Sequence, residues 1–220
     1  MIKHWHSAAA LAASIALTPA LGQERDAALI AAAERGDAAG VGRLIKEGAS
    51  VKSRDAAGRT ALLAATQRNR IDAARALIAA GADVNAKDGI EDSPYLLAGA
   101  SGHVEILDMT LAAGADLKST NRYGGTALTP ACHHGHVDAV RALLKTRLAI
   151  DHVNKLGWTC LLEAVILGDG GARHAEIVRM VVAAGANVNL ADREGVSPLR
   201  HARGRGQTTI ARILEQAGAK

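Results

Sequence analysis

The sequence predicts an all-α solenoid, in which short helix-turn-helix units stack in one dimension. Three markers recur every 33 residues, with one longer interval: a Gly-Ala pair, a Thr or Ser before a leucine-rich stretch, and a Gly-His pair. A fixed period of this length indicates a repeat architecture. Composition agrees, since 49% of the 220 residues are hydrophobic but only 2% are aromatic, and Phe is absent. A core of small aliphatic side chains favours closely packed short helices over a β-sandwich.

Composition and charge also exclude several classes of protein. The apolar content excludes an intrinsically disordered chain. Two cysteines are too few for a small domain held together by disulfides. The chain has 26 basic and 22 acidic residues, so its net charge is +4. This excess of positive charge is too small to indicate a dedicated nucleic-acid binder. We therefore expect no nucleic-acid partner.

The N-terminal segment 1–22 has the three parts of a secretory signal peptide. A weakly basic start with Lys3 precedes the apolar run 7–17, and Pro19 ends that run ahead of small residues before Gln23. The run is shorter than the roughly 20 residues that a membrane-spanning helix needs. We expect cleavage, export to the oxidising periplasm and no stable membrane anchor afterwards. The alternative is an N-terminal amphipathic helix or anchor that is not removed.

The markers divide the rest of the chain into six units. Each of the last five units opens with Asp or Asn, and its Thr or Ser is placed to cap a first helix by accepting a backbone N–H. A second helix ends at the Gly of the Gly-Ala pair, where a left-handed residue is favoured. The fifth unit is longer, because the insertion 169–173 separates its glycine from His174. The predicted units are about 24–54, 55–87, 88–120, 121–153, 154–191 and 192–220, and the outer two are caps.

Several segments resemble the ankyrin motif, over about 24–220. They are Thr60-Ala61-Leu62-Leu63, Ser93-Pro94-Tyr95-Leu96, Ser197-Pro198-Leu199-Arg200-His201-Ala202, Gly135-His136-Val137 and Gly81-Ala82-Asp83-Val84-Asn85. The stretch 121–171 is similar to a subgroup of small, single-domain bacterial ankyrin proteins, through Tyr123-Gly124-Gly125, Leu128-Thr129-Pro130-Ala131-Cys132, Gly157-Trp158-Thr159 and Leu167-Gly168-Asp169-Gly170-Gly171.

The resemblance implies a monomeric stack whose concave face is formed by hairpin-like loops and first helices. It implies that this face binds another protein, without a cofactor. It also implies a structural role for the hydroxyl residues and for the histidines of the Gly-His position, which bond neighbouring repeats. These structural residues are Thr60, Ser93, His103, Thr126, His136, Thr159, His174 and Ser197.

The variable positions of the motif supply candidate partner-binding residues. We expect Tyr123, His134, Leu156 and Trp158 to lie close together on neighbouring repeats, where aromatics near basic residues would make an interface hot spot. Trp158 has an alternative role in packing against the adjacent hairpin. The repeats are irregular over 145–175, so we expect the binding surface to lie in this region. The insertion 169–173 either lengthens a turn or forms a binding loop. The candidates are Arg59, Arg68, Arg122, Tyr123, His133, His134, Leu156, Trp158, Ile166 and Arg205.

The cluster from Cys132 to His136 suggests a metal site, but we predict none. His136 occupies the structural histidine position and Cys132 a buried alanine position. Side chains of His133 and His134, as helix neighbours, diverge by about 100°. Cys132 and Cys160 are placed at opposite ends of adjacent first helices, beyond the limit of about 7 Å between Cα atoms. We therefore predict two free, buried thiols and no disulfide.

Three functions follow from the sequence. The first is a periplasmic protein-interaction module without catalytic activity, because no nucleophile, base and oxyanion site stand at credible positions. The second is a specific inhibitor, immunity or protective protein directed at an envelope enzyme or toxin. The third, of another class, is a metal- or redox-handling protein that uses His133, His134 and the cysteines.

Overall fold

The computed structural model describes residues 18–220, which contain twelve α-helices and no strand. The helices follow one another in six pairs, each made of a first and a second helix. They are α1 Thr18–Arg35, α2 Ala38–Lys46, α3 Ala61–Gln67, α4 Ile71–Ala79, α5 Pro94–Ala100, α6 Val104–Ala112, α7 Leu128–His133, α8 Val137–Leu144, α9 Cys160–Ile166, α10 Ala172–Ala183, α11 Pro198–Gly204 and α12 Thr208–Gln216.

The helix pairs stack into a solenoid, which confirms the predicted fold class. First helices pack on first helices, as α3 does on α5, and second helices pack on second helices, as α4 does on α6. One continuous apolar core runs through the stack from Leu29 to Leu214, built almost wholly from Ala, Leu, Ile and Val. No single pair could bury its apolar face, so each neighbour completes the core of the last.

The loops before the first helices are joined to one another along one edge of the stack. Gly89 N donates to Ala57 O at 3.0 Å, and Lys155 N donates to Tyr123 O at 2.9 Å. These single backbone hydrogen bonds hold successive loops side by side. The loops and the first helices thereby form one continuous face of the stack.

Four of the five predicted hydroxyl caps form. In each, the side-chain oxygen accepts from the backbone N–H three residues later, at 3.2 to 3.4 Å, which satisfies a donor that the helix itself leaves free. The capping residues are Thr60, Ser93, Thr159 and Ser197.

The prediction that Thr126 caps its helix is wrong. In the other units the N–H four residues after the cap donates to the cap's carbonyl, as Ala64 N does to Thr60 O. Here that position is Pro130, which has no N–H. Thr129 N donates to Thr126 O at 3.2 Å instead, and α7 begins only at Leu128. The buried hydroxyl of Thr126 is left without a partner.

The Gly-His position links neighbouring repeats by hydrogen bonds, as the resemblance implied for His174. The ring nitrogen Nε2 of His174 donates to His133 O at 2.9 Å. Gln207 and Arg70 hold the same position in their units, and their side chains donate to Val165 O at 3.0 Å and to Glu34 O at 3.2 Å. Each bond ties a second helix to the end of the preceding unit's first helix.

The predicted signal peptide lies mostly outside the described residues. Its last five residues, 18–22, form the start of α1, which continues unbroken through Gln23 to Arg35. Within residues 18–220, no helix combines the length and the apolar character needed to cross a bilayer.

Candidate functional site

A cleft of about 470 Å³ lies on the face formed by the loops and first helices of the third, fourth and fifth units. Residues of α5, α7 and α9 form its floor, among them Leu97, Pro130 and Glu163. The preceding loops and the helix ends form its walls. The cleft therefore uses three consecutive repeats, and most of its lining residues lie in the region 121–171.

Three exposed hydrophobic side chains stand around this cleft. Tyr123 is 53% exposed, Leu156 49% and Leu167 41%, and all three line it. They come from two successive loops and from the end of α9. Exposed apolar side chains gathered around a concavity are typical of interaction surfaces.

A basic residue borders the aromatic wall of the cleft. The guanidinium of Arg122 lies 4.8 Å from the centre of the Tyr123 ring, within cation–π range. It also lies 3.5 Å from Asp92 Oδ2 across the neighbouring loop. Burial raises the pKa of Asp92, and the positive charge of Arg122 opposes that rise. Arg122 is thus held by two contacts at the rim.

His133 and His134 both line the cleft, and their rings stack with centres 4.2 Å apart. The expectation that these side chains diverge is wrong, because α7 ends at His133 and His134 is the residue that caps it. Burial lowers the pKa of His133, and the charges of His134 and His174 lower it further. His133 therefore titrates below its ordinary range and adds a neutral ring to the cleft at pH 7.

Glu163 is the residue that sequence reasoning missed. Its side chain is only 7% exposed, yet it lines the cleft. Asn154 Nδ2 donates to Glu163 Oε1 at 2.7 Å. Burial raises the pKa of Glu163 to about 7, although the hydrogen bond from Asn154 acts in the opposite direction. Among residues 18–220, no Lys, Arg or His nitrogen lies within 4.0 Å of this carboxylate.

The loop of the fifth unit fixes the orientation of Asn154. Its Oδ1 accepts from the backbone N–H groups of Leu156 and Trp158, at 2.9 and 3.0 Å. With the oxygen engaged in this way, the NH₂ group points to Glu163. Leu156 is thereby placed on the cleft wall, whereas Trp158 is half-buried and not part of the wall.

In the last unit, the two positions that Asn154 and Glu163 hold in the fifth unit carry different charges. Asp192 corresponds to Asn154, and His201 corresponds to Glu163. His201 Nε2 lies 2.6 Å from Asp192 Oδ2, so an acid there faces a base of the same unit. In the fifth unit the acid on the helix faces only a neutral amide.

Cys132 and Cys160 form a disulfide with a Cα–Cα distance of 5.5 Å, so the prediction of two free thiols and no disulfide is wrong. That prediction placed adjacent first helices side by side in register. The helices are instead offset, so that the C-terminal half of one lies against the start of the next. Gly99 and Ala127 hold the equivalent positions one repeat earlier, and a Cβ on Gly99 would lie 2.9 Å from that of Ala127.

The disulfide joins α7 to α9 beneath the cleft. Both cysteines are buried, and they are neighbours in sequence of His133 and Thr159. Within the described part of the chain, no three His, Cys, Asp or Glu side chains are arranged to hold a metal ion.

The insertion in the fifth unit is anchored to the cleft. Asp169 Oδ1 accepts from Gly171 N at 2.8 Å and from His174 Nδ1 at 2.7 Å. The other ring nitrogen of His174 donates to His133 O, at the end of α7. The insertion therefore orients a histidine that fixes one end of the cleft. The irregular stretch 145–150 packs on the core through Leu148 and Ile150.

Five of the ten predicted surface residues do not line the cleft, and one of these is Trp158. Arg59 pairs with Asp55 at 2.7 Å, and Arg68 lies 3.4 Å from Glu34, both near the N-terminal end of the stack. Arg205 is exposed near the opposite end. Ile166 is only 8% exposed and does not line the cleft.

The fold and the cleft define a helical repeat protein that presents a rigid concave surface. The family model for ankyrin repeats (3 copies) matches residues 7–88 and 95–192. This chain belongs to the ankyrin repeat family. Ankyrin repeats are in general protein–protein interaction modules, and they are typically not catalytic.

Solved ankyrin structures resemble this chain over most of its length. An ankyrin repeat domain from Acinetobacter baumannii AYE is 54% identical, with a TM-score of 0.84, and the match covers 87% of this chain and 98% of that one. The ankyrin repeat protein EF0377 is 40% identical, with the same TM-score and coverage. The ankyrin repeat domain of Bcl-3, a member of the IkappaB family, is 29% identical with a TM-score of 0.79, over 88% and 86% of the two chains.

A curated relative matches over a shorter stretch. The ankyrin repeat protein YahD of Escherichia coli (strain K12) is 45% identical over 58 residues, which is 26% of this chain. The match spans 29% of the length of that relative.

Proposed function

We propose that this protein is a non-catalytic interaction module of the periplasm and that it binds a partner protein at the cleft. The observation that carries the proposal is the gathering of Tyr123, Leu156 and Leu167, all exposed, around one concavity. Exposed apolar and aromatic side chains next to an Arg are the usual composition of a binding hot spot.

The rigidity of the cleft supports the same proposal. The disulfide joins two of its floor helices, and His174 ties the end of α7 to the following unit. A surface that is already ordered loses little conformational entropy when it binds. The cleft is therefore suited to a specific partner.

Export is supported by the cysteines as well as by the N-terminal segment. Disulfides persist in oxidising compartments such as the bacterial periplasm and are rare in the cytosol. A buried disulfide fits a chain that folds after export. It also counts against the metal- or redox-handling alternative, since a buried disulfide offers no thiolate ligand.

The test is capture of the partner from native periplasm by the purified protein and by two variants. Tyr123→Ala with Leu156→Ala removes two walls of the cleft. Ile90→Ala is the matched control, because Ile90 is an equally exposed loop residue that does not line the cleft. The proposal predicts that one protein is captured by the wild type and by the control, and lost with the double variant. Capture by all three proteins would place the binding surface elsewhere.

A further inference from the structure

We propose that the cleft receives a basic side chain, an arginine or lysine of the partner protein, and that the Glu163 carboxylate is its counter-ion. This inference rests on the proposed function and names the chemistry of the partner segment. It follows from an acid that is buried at the floor of an open cleft and has no cation of its own.

Burial of the Glu163 carboxylate has a cost in free energy. A buried carboxylate is expensive unless an opposite charge or several donors compensate it. Glu163 has one neutral donor, Asn154, at 2.7 Å, and no cationic nitrogen within 4.0 Å among the described residues. In the last unit the acid stands at the position of Asn154, as Asp192, and His201 compensates it. The fifth unit thus lacks an internal cation at the place where the cleft opens.

The other charged groups that face the cleft do not compensate the Glu163 carboxylate. Arg122 is held at the rim by Asp92 and the Tyr123 ring. Burial lowers the pKa of His133, so that side chain is neutral near pH 7. Asp92, the other acid that lines the cleft, is already paired with Arg122. His134 is the second imidazole of the cleft. On the next repeat, His201 is already paired with Asp192. The floor of the cleft is therefore acidic.

The shape and lining of the cleft suit a long basic side chain. Long basic side chains bury their methylene groups along apolar surface and place the charged end in a polar site. Leu156, Leu167 and Tyr123 supply the apolar walls, and Glu163 with Asn154 supplies the polar floor. A guanidinium also matches a carboxylate in geometry.

A cation that binds at Glu163 should displace a proton from its carboxyl group. With its pKa raised to about 7 by burial, Glu163 is about half protonated at neutral pH in the free protein. A cation beside it favours the ionised form. Binding should therefore release a proton, and the affinity should rise about tenfold between pH 6 and pH 8.

The experiment uses a random dodecapeptide library displayed on phage and selected on the purified protein. Selected peptides are synthesised, and their Kd is measured by fluorescence anisotropy. We expect each peptide that binds at the cleft to contain an Arg or Lys whose replacement by Ala weakens binding at least tenfold. Glu163→Gln should weaken binding by a similar factor. Combining the two changes should cost little more than either alone, as for two groups that contact each other.

The control variant is Glu105→Gln, which removes an exposed acid on α6 and should leave the affinity unchanged. If peptides lose affinity with Tyr123→Ala and Leu156→Ala but keep it with Glu163→Gln, the inference is overturned and the proposed cleft stands. If no selected peptide depends on Tyr123 or Leu156, both are overturned. Circular dichroism and thermal unfolding establish that each variant is folded.

Discussion

The side-chain amide of Asn154 lies 2.7 Å from the buried carboxylate of Glu163, and the Asn154 oxygen is engaged by two backbone N–H groups of its own loop. One side chain therefore holds a loop and orients an acid at the floor of the cleft. In the equivalent position, three other units have Asp: Asp55, Asp88 and Asp192. An Asp in the fifth unit would bring a second carboxylate against Glu163, so Asn is the residue that suits both tasks.

Asn154→Asp is accordingly predicted to destabilise the protein in a manner that depends on pH. At pH 8 two carboxylates would face each other in a buried site, and the free energy of unfolding should fall by at least about 2 kcal/mol. At pH 5 Glu163 is protonated and can donate to the new carboxylate, so the loss should be much smaller. Urea unfolding of the wild type and the variant at pH 8 and at pH 5 measures the loss in free energy of unfolding at each pH.

The control for this substitution is Asn121→Asp, one repeat earlier. Asn121 makes the same loop hydrogen bonds through Oδ1, to Tyr123 N and Gly125 N. The helix position that faces it is Pro130, which carries no charge. This variant should be close to neutral at both pH values. An equal loss in the two variants would contradict the assigned role of Asn154.

Glu163→Gln is predicted to stabilise the protein above neutral pH. The pKa of Glu163 rises from 4.5 to about 7 on folding, so the folded state binds more protons than the unfolded state between these values. The stability from this group is complete below pH 4.5 and is lost as the pH rises through 7, a change of about 3 kcal/mol. Gln keeps the hydrogen bond to Asn154 and has no charge to lose.

The measurement is the free energy of unfolding of wild type and Glu163→Gln from pH 4 to 9. The two curves should agree below about pH 4.5, separate between pH 4.5 and 7, and then stay apart, with the variant more stable by up to about 3 kcal/mol. Parallel curves over the entire range would mean that Glu163 does not titrate near neutrality.

The disulfide is predicted to contribute to stability. Cys132 and Cys160 are separated by 28 residues, and a crosslink that closes a loop of this length stabilises by about 3 to 4 kcal/mol in the chain-entropy model. Replacing both cysteines by Ala should lower the free energy of unfolding by that amount. A thiol count on the denatured wild type, without reductant, should find none. Two reactive thiols in protein taken from periplasm would contradict the structure.

Thr126 and Thr60 occupy the same position of their repeats and are both buried, yet valine is predicted to act differently at each. The Thr60 hydroxyl accepts from Leu63 N at 3.2 Å, so Thr60→Val should cost about 1 kcal/mol. The Thr126 hydroxyl has no partner, so Thr126→Val should be neutral or stabilising by up to about 1 kcal/mol. Thermal unfolding of the two variants separates these outcomes, and equal losses would mean that Thr126 also caps its helix.

The period of the sequence predicted the solenoid because it reports a local unit repeated along the chain. A hydroxyl residue, a capped helix and a terminating glycine are each decided within one repeat, and α3, α5, α9 and α11 begin directly after Thr60, Ser93, Thr159 and Ser197. The exception at Thr126 was also local, since Pro130 removes the N–H that the other units use. The proline was visible in the sequence, but its effect on the cap was not recognised.

The disulfide and the acidic floor depend on how adjacent repeats lie against each other, which a period does not reveal. The offset of neighbouring helices brings Cys132 to Cys160 and was not predicted. Glu163 had one signal, an acidic residue within an otherwise apolar helix, but helical position alone did not show that it faces an open cleft. Tyr123 and Leu156 were predicted because the family motif assigns their positions to the loop tips.

The most direct test of the central claim is crosslinking in the intact cell. A photoreactive p-benzoylphenylalanine replaces Leu156, on the cleft wall, and in a second variant replaces Arg212, an exposed residue of α12. The account predicts that irradiation joins the protein to one partner of defined mass from position 156 and not from position 212. Absence of an adduct at 156, or the same adduct from both positions, would contradict it.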